Sequence, residues 1–301
     1  MHGRPVGRSI PFWFCLAAVA GCGSCDESLQ VDGDHPHLRC VAGEAEPFEH
    51  GLGAGSATLD DDGVLTLEGL EPRLLAFSLS PGADLDTLPE APLRVVLGGF
   101  ARDEASAARL LGGLAAAGPT LLLPGGEDSS EVLDEALEAV DAEALIDLRG
   151  VRLVRFGGHE WVVVPGAPDG RYARGDDACG FVAADLEKLE LADATGPRHL
   201  LAWAAPLGAG PVSRGLGDLE VGDASLGTLV ERSGILGGLV AWPRQPRPVN
   251  HPVGESSWVG VPAWGRVIEG PDGRWSRGGA ALVNLADGPG LTLAPAAAPA
   301  P

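Results

Sequence analysis

Two consecutive strand–glycine–helix units, within residues 93–128, constrain the fold of this chain more than any other part of its sequence. The apolar run Arg94–Leu97 is closed by a Gly-Gly pair, and the run Thr120–Leu123 is closed by Pro-Gly-Gly. Between the two runs, apolar residues recur at the spacing of one helix face, namely Ala107, Leu110, Leu111 and Leu114. Strands that end in glycine and lead into helices are typical of a parallel sheet covered by helices.

The glycine pairs mark the place where such a fold would carry its chemistry. Parallel sheets of α/β proteins bind ligands just beyond the carboxyl ends of their strands. Here those ends carry glycines at 98–99 and 125–126, and the second pair is followed by Glu127 and Asp128. We therefore expect any functional site to lie beside these two turns.

The remaining elements indicate a second sheet. Residues 151–165 alternate in polarity around a Gly-Gly turn, which predicts an antiparallel hairpin. Further apolar and periodic runs predict helices at 181–192 and 224–232, and strands at 74–78, 144–147, 199–204, 237–242, 264–269 and 280–285. β/α units followed by hairpins and two more helices favour a two-sheet α/β sandwich flanked by helices over a single doubly wound sheet.

The N-terminus has the pattern of a lipoprotein leader. Arg4 and Arg8 precede an apolar run at 10–20, which is too short to span a bilayer and fits the apolar core of a signal peptide. The run ends in Val-Ala-Gly before Cys22, which resembles the bacterial lipobox. We predict that residues 1–21 are removed and that Cys22 is lipidated; the alternative is an ordinary cleaved signal that happens to contain this cysteine.

A lipid-modified Cys22 would make the membrane a partner of the chain, since several acyl chains anchor stably. Gly23 follows it instead of the Asp that often retains lipoproteins in the inner membrane, which favours the outer membrane of the bacterial cell envelope. This compartment is oxidising, so a Cys25–Cys40 disulfide is expected, although Cys25 could pair with Cys179 instead.

The chain divides into four predicted parts. A polar N-terminal segment follows the leader and contains a small hairpin at 58–70, and the last residues are rich in Pro and Ala. The parts are a signal peptide at 1–21, a tether with its hairpin at 22–73, the main domain at 74–286, and a disordered tail at 287–301.

Composition and missing motifs exclude several functions. The net charge of −21 disfavours nucleic acid as a partner, because an acidic surface repels the phosphate backbone. The lone Lys188 does not belong to a Walker A loop, and no Gly-x-Ser-x-Gly nucleophile elbow is present. His159 and Glu160 lack the second histidine of a zincin helix. No cofactor is therefore expected.

Five segments of the chain follow the order and spacing of one known family. They read LAFSLSPG at 75–82, VVLGG at 95–99, LLPGGED at 122–128, HLLAWAAP at 199–206 and GLVAWPRQ at 238–245. This order resembles the calcineurin-like metallophosphoesterases. That family carries Asp-x-His, Gly-Asp, Gly-Asn-His-Asp, a lone His and Gly-His-x-His in these places, and the side chains hold two metals that activate water.

The resemblance implies the same fold, with its metal ligands lost. The positions that correspond to ligands are Leu79, Pro81, Gly99, Gly126, Glu127, Ala204, Pro243 and Gln245. Because Leu, Pro, Gly and Ala cannot coordinate a cation, the resemblance predicts a catalytically degenerate domain without metal. Such a pseudo-phosphoesterase would bind or scaffold, with an unidentified protein or small molecule as its ligand.

Three alternatives stay open at this point. Glu127 and Asp128 form either a residual polar site or, as we favour, an exposed residue and the N-cap of the next helix. An active metal-dependent phosphoesterase could use other groups, namely Asp103, Glu127, Asp128, Asp223 and His199. Four tryptophans of the later half either line the cleft or fill the core, and these are Trp203, Trp242, Trp258 and Trp264.

Overall fold

A computed structural model describes residues 46–168, 178–189, 191, 193–214, 220–241, 247–253, 256–269, 275–286 and 288–294. Two main β-sheets with helices packed on them form the described chain, so the predicted two-sheet α/β sandwich is confirmed. Several predicted features lie outside the described residues, namely the signal peptide at 1–21, Cys22, Cys25, Cys40, Pro243 and Gln245. Among the described residues, no helix combines the length and apolar character needed to cross a membrane.

The smaller sheet contains the two strand–glycine–helix units. Its six strands lie in the order β19-β18-β4-β5-β6-β7, in which β4 to β7 are parallel to one another and β18 is antiparallel to both of its neighbours, β4 and β19. The strands are β4 (Arg73–Phe77), β5 (Arg94–Leu97), β6 (Thr120–Leu123), β7 (Leu145–Asp147), β18 (Ala281–Asn284) and β19 (Thr292–Ala294).

Two helices belong to these units. Helix α1 (Glu104–Ala117) connects β5 to β6, and α2 (Ser130–Val140) connects β6 to β7. The buried residues of α1 are the four that the helical spacing predicts, Ala107, Leu110, Leu111 and Leu114. The apolar face therefore packs against the sheet, as an amphipathic crossover helix must.

The larger sheet has nine strands in the order β1-β2-β3-β8-β9-β12-β13-β15-β14. At its centre β9, β12, β13 and β15 run parallel to one another. The strands are β1 (Phe48–Leu52), β2 (Gly55–Leu59), β3 (Val64–Glu68), β8 (Leu153–Phe156), β9 (His159–Val164), β12 (Arg198–Ala202), β13 (Gly237–Ala241), β14 (Val249–Val253) and β15 (Ser256–Val261).

Short elements complete the described chain. Three short helical elements pack against the larger sheet. They are helices α3 (Ala183–Glu187) and α4 (Ala224–Arg232) and a 3₁₀ turn at Gly210–Ser213. Two small ribbons pair β10 (Ala167–Pro168) with β11 (Gly180–Phe181), and β16 (Val267–Glu269) with β17 (Trp275–Arg277). The helix predicted at 181–192 is thus wrong in length, because Phe181 pairs with Pro168 as part of a strand.

The two sheets face each other across an apolar core. Residues of both sheets line one small cavity between them, namely Leu74, Leu93, Val95, Leu121, Val154, Phe156, Trp161, Leu201 and Leu239. On the outer face of the larger sheet, Leu200 and Val240 pack with Leu226 of α4 in a second cluster. Side chains that alternate along each strand therefore serve two different cores.

Strands extend beyond the predicted domain of residues 74–286 at both ends. The hairpin expected inside a tether is formed by β2 and β3, but β3 also pairs in parallel with β8, so the hairpin is part of the larger sheet. At the other end, β19 of the predicted tail pairs with β18. The pairing of β3 with β8 joins partners far apart in sequence, which a local pattern does not reveal.

Candidate functional site

The carboxyl ends of parallel strands from both sheets meet at one place. Trp203, directly after β12 of the larger sheet, lies against the glycine turns after β5 and β6 of the smaller sheet. A Cβ atom on Gly125 would lie 2.3 Å from both Cδ1 and Nε1 of the indole, and one on Gly98 would lie 2.8 Å from Cδ1. We call this place, formed by Gly98, Gly99, Gly125 and Trp203, the strand-end cleft.

Asp128 is the polar centre of the strand-end cleft. Its side chain is fully buried at 0% exposure. Oδ2 accepts hydrogen bonds from the backbone N–H groups of Gly99 at 2.9 Å and of Gly125 at 2.8 Å. Oδ1 accepts from the N–H of Ala101 at 2.7 Å. One carboxylate thus ties the turn after β5 to the turn after β6.

Two effects act in opposite directions on the ionisation of Asp128. Burial is the larger effect and raises the pKa of the carboxyl group above its ordinary value, although hydrogen bonds from the backbone amides of Ala101, Gly125, Gly99 and Phe100 oppose that rise. These backbone amides present only N–H donors to the side chain. They therefore suit an ionised carboxylate, which only accepts hydrogen bonds, better than a protonated acid.

The expected roles of Asp128 and Glu127 are wrong. Ser129, not Asp128, caps helix α2, because its side-chain oxygen accepts from the N–H of Val132 at 3.1 Å. Glu127 is half-buried instead of exposed, and its carboxylate forms an ion pair with Arg102. The two carboxylates therefore have separate partners instead of sharing one polar site.

The positions that correspond to metal ligands carry little that could bind a cation. Leu79 is buried, and Gly99 packs so closely against it that a Cβ atom on Gly99 would lie 2.1 Å from the Leu79 carbonyl oxygen. Gly126 is buried, Ala204 is half-buried and Pro81 is exposed. None of these five side chains contains a ligand atom.

The described residues do not fit a pair of metal ions. Glu127 is the only described residue of the corresponding set with a carboxylate or imidazole, and it is paired with Arg102. Within the described ranges, no group of three or more His, Cys, Asp or Glu could hold a metal ion. The oxygens of Asp128 are engaged by backbone amides. Metal chemistry therefore has no ligand set in this part of the chain.

The residues of the alternative enzyme site are not brought together. Asp103 caps α1 by accepting from the N–H of Ser106, and Asp223 caps α4. His199 lies near the amino-terminal start of β12, whereas Trp203 follows its carboxyl end. Each of these groups has a structural task at a different element.

His199 forms a buried pair that the sequence did not reveal. His159 Nδ1 and His199 Nε2 are 2.8 Å apart, and His159 Nε2 lies 3.0 Å from the carbonyl oxygen of Leu285. Because that carbonyl can only accept, His159 carries its proton on Nε2 and accepts from His199 Nε2–H. His199 Nδ1 is left buried without a partner. Burial and the neighbouring His159 lower the pKa of His199 to about 3.

The tryptophans divide between core and cleft. Trp258 and Trp264 are buried, and the Nε1–H of Trp264 donates to the carbonyl oxygen of Asp84 at 2.8 Å. Trp203 is half-buried in the strand-end cleft, and Trp242 lies outside the described residues. Residue 203 directly precedes Ala204, the position that corresponds to the lone His of the family. This position next to a ligand site was the one feature of the sequence that could have placed Trp203 in the cleft.

Comparisons with known proteins bear on the fold. No family model and no curated protein matches the chain. The protein TT1561 of Thermus thermophilus is 19% identical with a TM-score of 0.51, over 74% of this chain and 98% of that one.

Two further solved structures are similar. One crystal structure is 13% identical with a TM-score of 0.53, over 75% of this chain and 99% of that one. The phosphopantetheinyl hydrolase PptH from Mycobacterium tuberculosis is 16% identical with a TM-score of 0.46, over 64% and 90%. At these identities, the two alignments with a TM-score above 0.5 establish a shared fold that spans almost the whole of both solved chains.

Proposed function

We propose that this protein is a lipid-anchored bacterial envelope protein whose metallophosphoesterase-like domain binds a ligand instead of hydrolysing phosphate esters. The observation that carries the proposal is the position of Trp203. Its indole packs against the glycine turns, and two of its atoms lie 2.3 Å from the point that a Cβ on Gly125 would occupy. The resemblance implies that metals would be held beside these turns.

The chemistry of metal-assisted hydrolysis supports this proposal. Activation of a water by divalent cations requires several carboxylate or imidazole ligands around a cavity open to substrate. Leu79, Gly99 and Ala204 supply no such ligand, and the indole occupies space beside the turns. A domain built in this way keeps the scaffold of a hydrolase and lacks its reactive centre.

Binding remains available to such a domain. The half-buried Trp203 offers an aromatic surface at the strand-end cleft, and tryptophan contributes strongly to recognition because it has a large apolar area. We propose a protein or a small molecule as the ligand. Nucleic acid is not among the proposed partners, since the net charge is −21.

The anchor is proposed on the sequence pattern around Cys22. Cleavage after residue 21 and lipidation of Cys22 would attach the domain to the outer membrane. Mass spectrometry of the mature N-terminus should find an acylated Cys22, and an unmodified cysteine would contradict the anchor. Peptide mapping without reductant tests the proposed Cys25–Cys40 disulfide in the same sample.

Metal content and turnover test the loss of catalysis. We expect the purified mature protein, dialysed against Mn²⁺ or Zn²⁺, to retain no stoichiometric metal and to leave bis(4-nitrophenyl) phosphate intact. Glu127→Ala tests the one carboxylate at a corresponding position, and Glu131→Ala, in the first turn of α2, is the matched control. Stoichiometric metal, with turnover that Glu127→Ala abolishes and Glu131→Ala leaves intact, would establish the alternative of an active metal-dependent phosphoesterase.

A further inference from the structure

Backbone amides from two turns converge on the carboxylate of Asp128 in the strand-end cleft. The N–H groups of Gly99 and Ala101 come from the turn after β5, and that of Gly125 comes from the turn after β6. Their nitrogen atoms lie 2.9, 2.7 and 2.8 Å from the carboxylate oxygens of Asp128. Backbone donors that point to one centre are a common way for proteins to bind an anion.

The backbone itself holds these donors in place. Gly98 and Gly99 have φ angles of +75° and +86°, a left-handed conformation that glycine adopts without strain. The Leu79 carbonyl oxygen also lies 2.1 Å from a Cβ built on Gly99, so only glycine allows this approach. The Leu79 N–H donates to the Gly98 carbonyl oxygen at 2.9 Å and fixes the turn further. The amides of the turn after β5 are therefore held by the backbone itself, and Asp128 joins them to the amide of Gly125 in the turn after β6.

The same amides require an acceptor. Asp128 is at 0% exposure, and the Trp203 indole lies over the neighbouring glycines. The space between the amides, which the Asp128 carboxylate occupies, is therefore shielded from bulk water. Buried N–H groups without a partner are strongly unfavourable. Whatever occupies this centre must accept hydrogen bonds from several directions, as a carboxylate does.

We propose that the turns after β5 and β6 form an anion-binding site, which the carboxylate of Asp128 occupies as an internal ligand and which binds small carboxylate anions when that side chain is shortened. This inference goes beyond the proposed ligand-binding function and does not depend on it. Asp128 is then a positioning residue, which keeps the two turns together and closes the site to external anions.

The size of the site selects the anion. Asp128→Ala removes one carboxylate group, and formate has the same two oxygens on one carbon. Trp203 and the glycine turns enclose the remaining space, so formate fits it better than the larger tetrahedral phosphate. Chloride lacks the two separate acceptor atoms that face Ala101 on one side and Gly125 on the other.

The test measures thermal unfolding of the full mature chain with increasing sodium formate, against sodium chloride at equal ionic strength. We expect Asp128→Ala to unfold at a lower temperature than the wild type. Formate should raise that temperature in a saturable way, by about 3–6 °C at ten times its Kd, and leave the wild type unchanged. Phosphate should be less effective than formate.

Leu133→Ala is the matched control, because Leu133 is also at 0% exposure and its loss creates an apolar cavity. If formate stabilises Leu133→Ala as much as Asp128→Ala, or stabilises neither, the proposal is overturned. If Asp128→Ala does not fold, Asp128→Asn decides, since its NH₂ group faces N–H donors in a side chain of equal size. A marked loss of thermal stability in Asp128→Asn supports the internal anion, and wild-type stability overturns it.

Discussion

Acid destabilisation through His199 follows directly from the buried histidine pair. His199 is at 0% exposure, donates to His159 through Nε2 and has no partner at Nδ1. A second proton would have to be placed on Nδ1, beside the Trp161 ring, whose centroid lies 5.0 Å from that of His199. Protonation of His199 is therefore unfavourable in the folded protein, whereas in the unfolded chain the imidazole takes up the proton at its ordinary pKa.

The magnitude follows from the two pKa values. The pKa of His199 is about 3 in the folded state, against an ordinary value of 6.5. The unfolded state therefore binds a proton first as the pH falls, and stability is lost from about pH 6.5 down to about pH 3. Between pH 7 and pH 5, this single group lowers the free energy of unfolding by about 2 kcal/mol.

Urea denaturation at pH 7 and pH 5 measures this difference. The comparison is with His199→Gln, whose amide NH₂ can still donate to His159 Nδ1 but does not titrate. Carboxylates titrate in both proteins, so their contribution cancels when the two pH dependences are subtracted.

We expect the wild type to lose about 2 kcal/mol more than His199→Gln between the two pH values. Equal losses would refute the reasoning, because they would mean that His199 accepts a proton in the folded state as easily as in the unfolded state. A larger loss in the variant would refute it equally.

Three further changes have expected sizes. Gly99→Ala should lower the free energy of unfolding by more than about 2 kcal/mol, since the new Cβ meets the Leu79 carbonyl at 2.1 Å and φ is +86°; a thermal melt within error of the wild type would contradict this. Glu160→Ala leaves the buried Arg198, 2.9 Å from it, without its carboxylate and should cost about 3–5 kcal/mol. Glu71→Ala, in an exposed ion pair, should cost less than about 1 kcal/mol by the same urea measurement.

Local patterns predict much of the fold. Helix α1 buries the four residues that its spacing indicates, and α4 spans the predicted residues 224–232, because helix faces and helix ends depend on neighbours within a few residues. The parallel pairing of β3 with β8 depends on contacts about 90 residues apart, so the hairpin could not be assigned to a sheet from its own sequence.

The site is harder to predict for the same reason. Asp128 and Ser129 are both good N-cap residues, and a sequence does not show which of them faces the helix. The backbone amides of Gly99 and Ala101, which donate hydrogen bonds to the Asp128 carboxylate, lie 29 and 27 residues away in the sequence. Trp203 could equally have filled the core, as Trp258 does. In each case the outcome depends on tertiary contacts instead of local preference.

The approach of Gly99 to Leu79 has a consequence for how this protein can change over time. A carboxylate at position 99 would need only one codon to change, but the carbonyl oxygen of Leu79, in the segment after β4, lies 2.1 Å from where the new Cβ would be. A protein with this single substitution would be destabilised whatever the new carboxylate could bind. A carboxylate at this turn therefore requires a compensating change in the segment around Leu79, and single substitutions of Gly99 are disfavoured whatever the new side chain could bind.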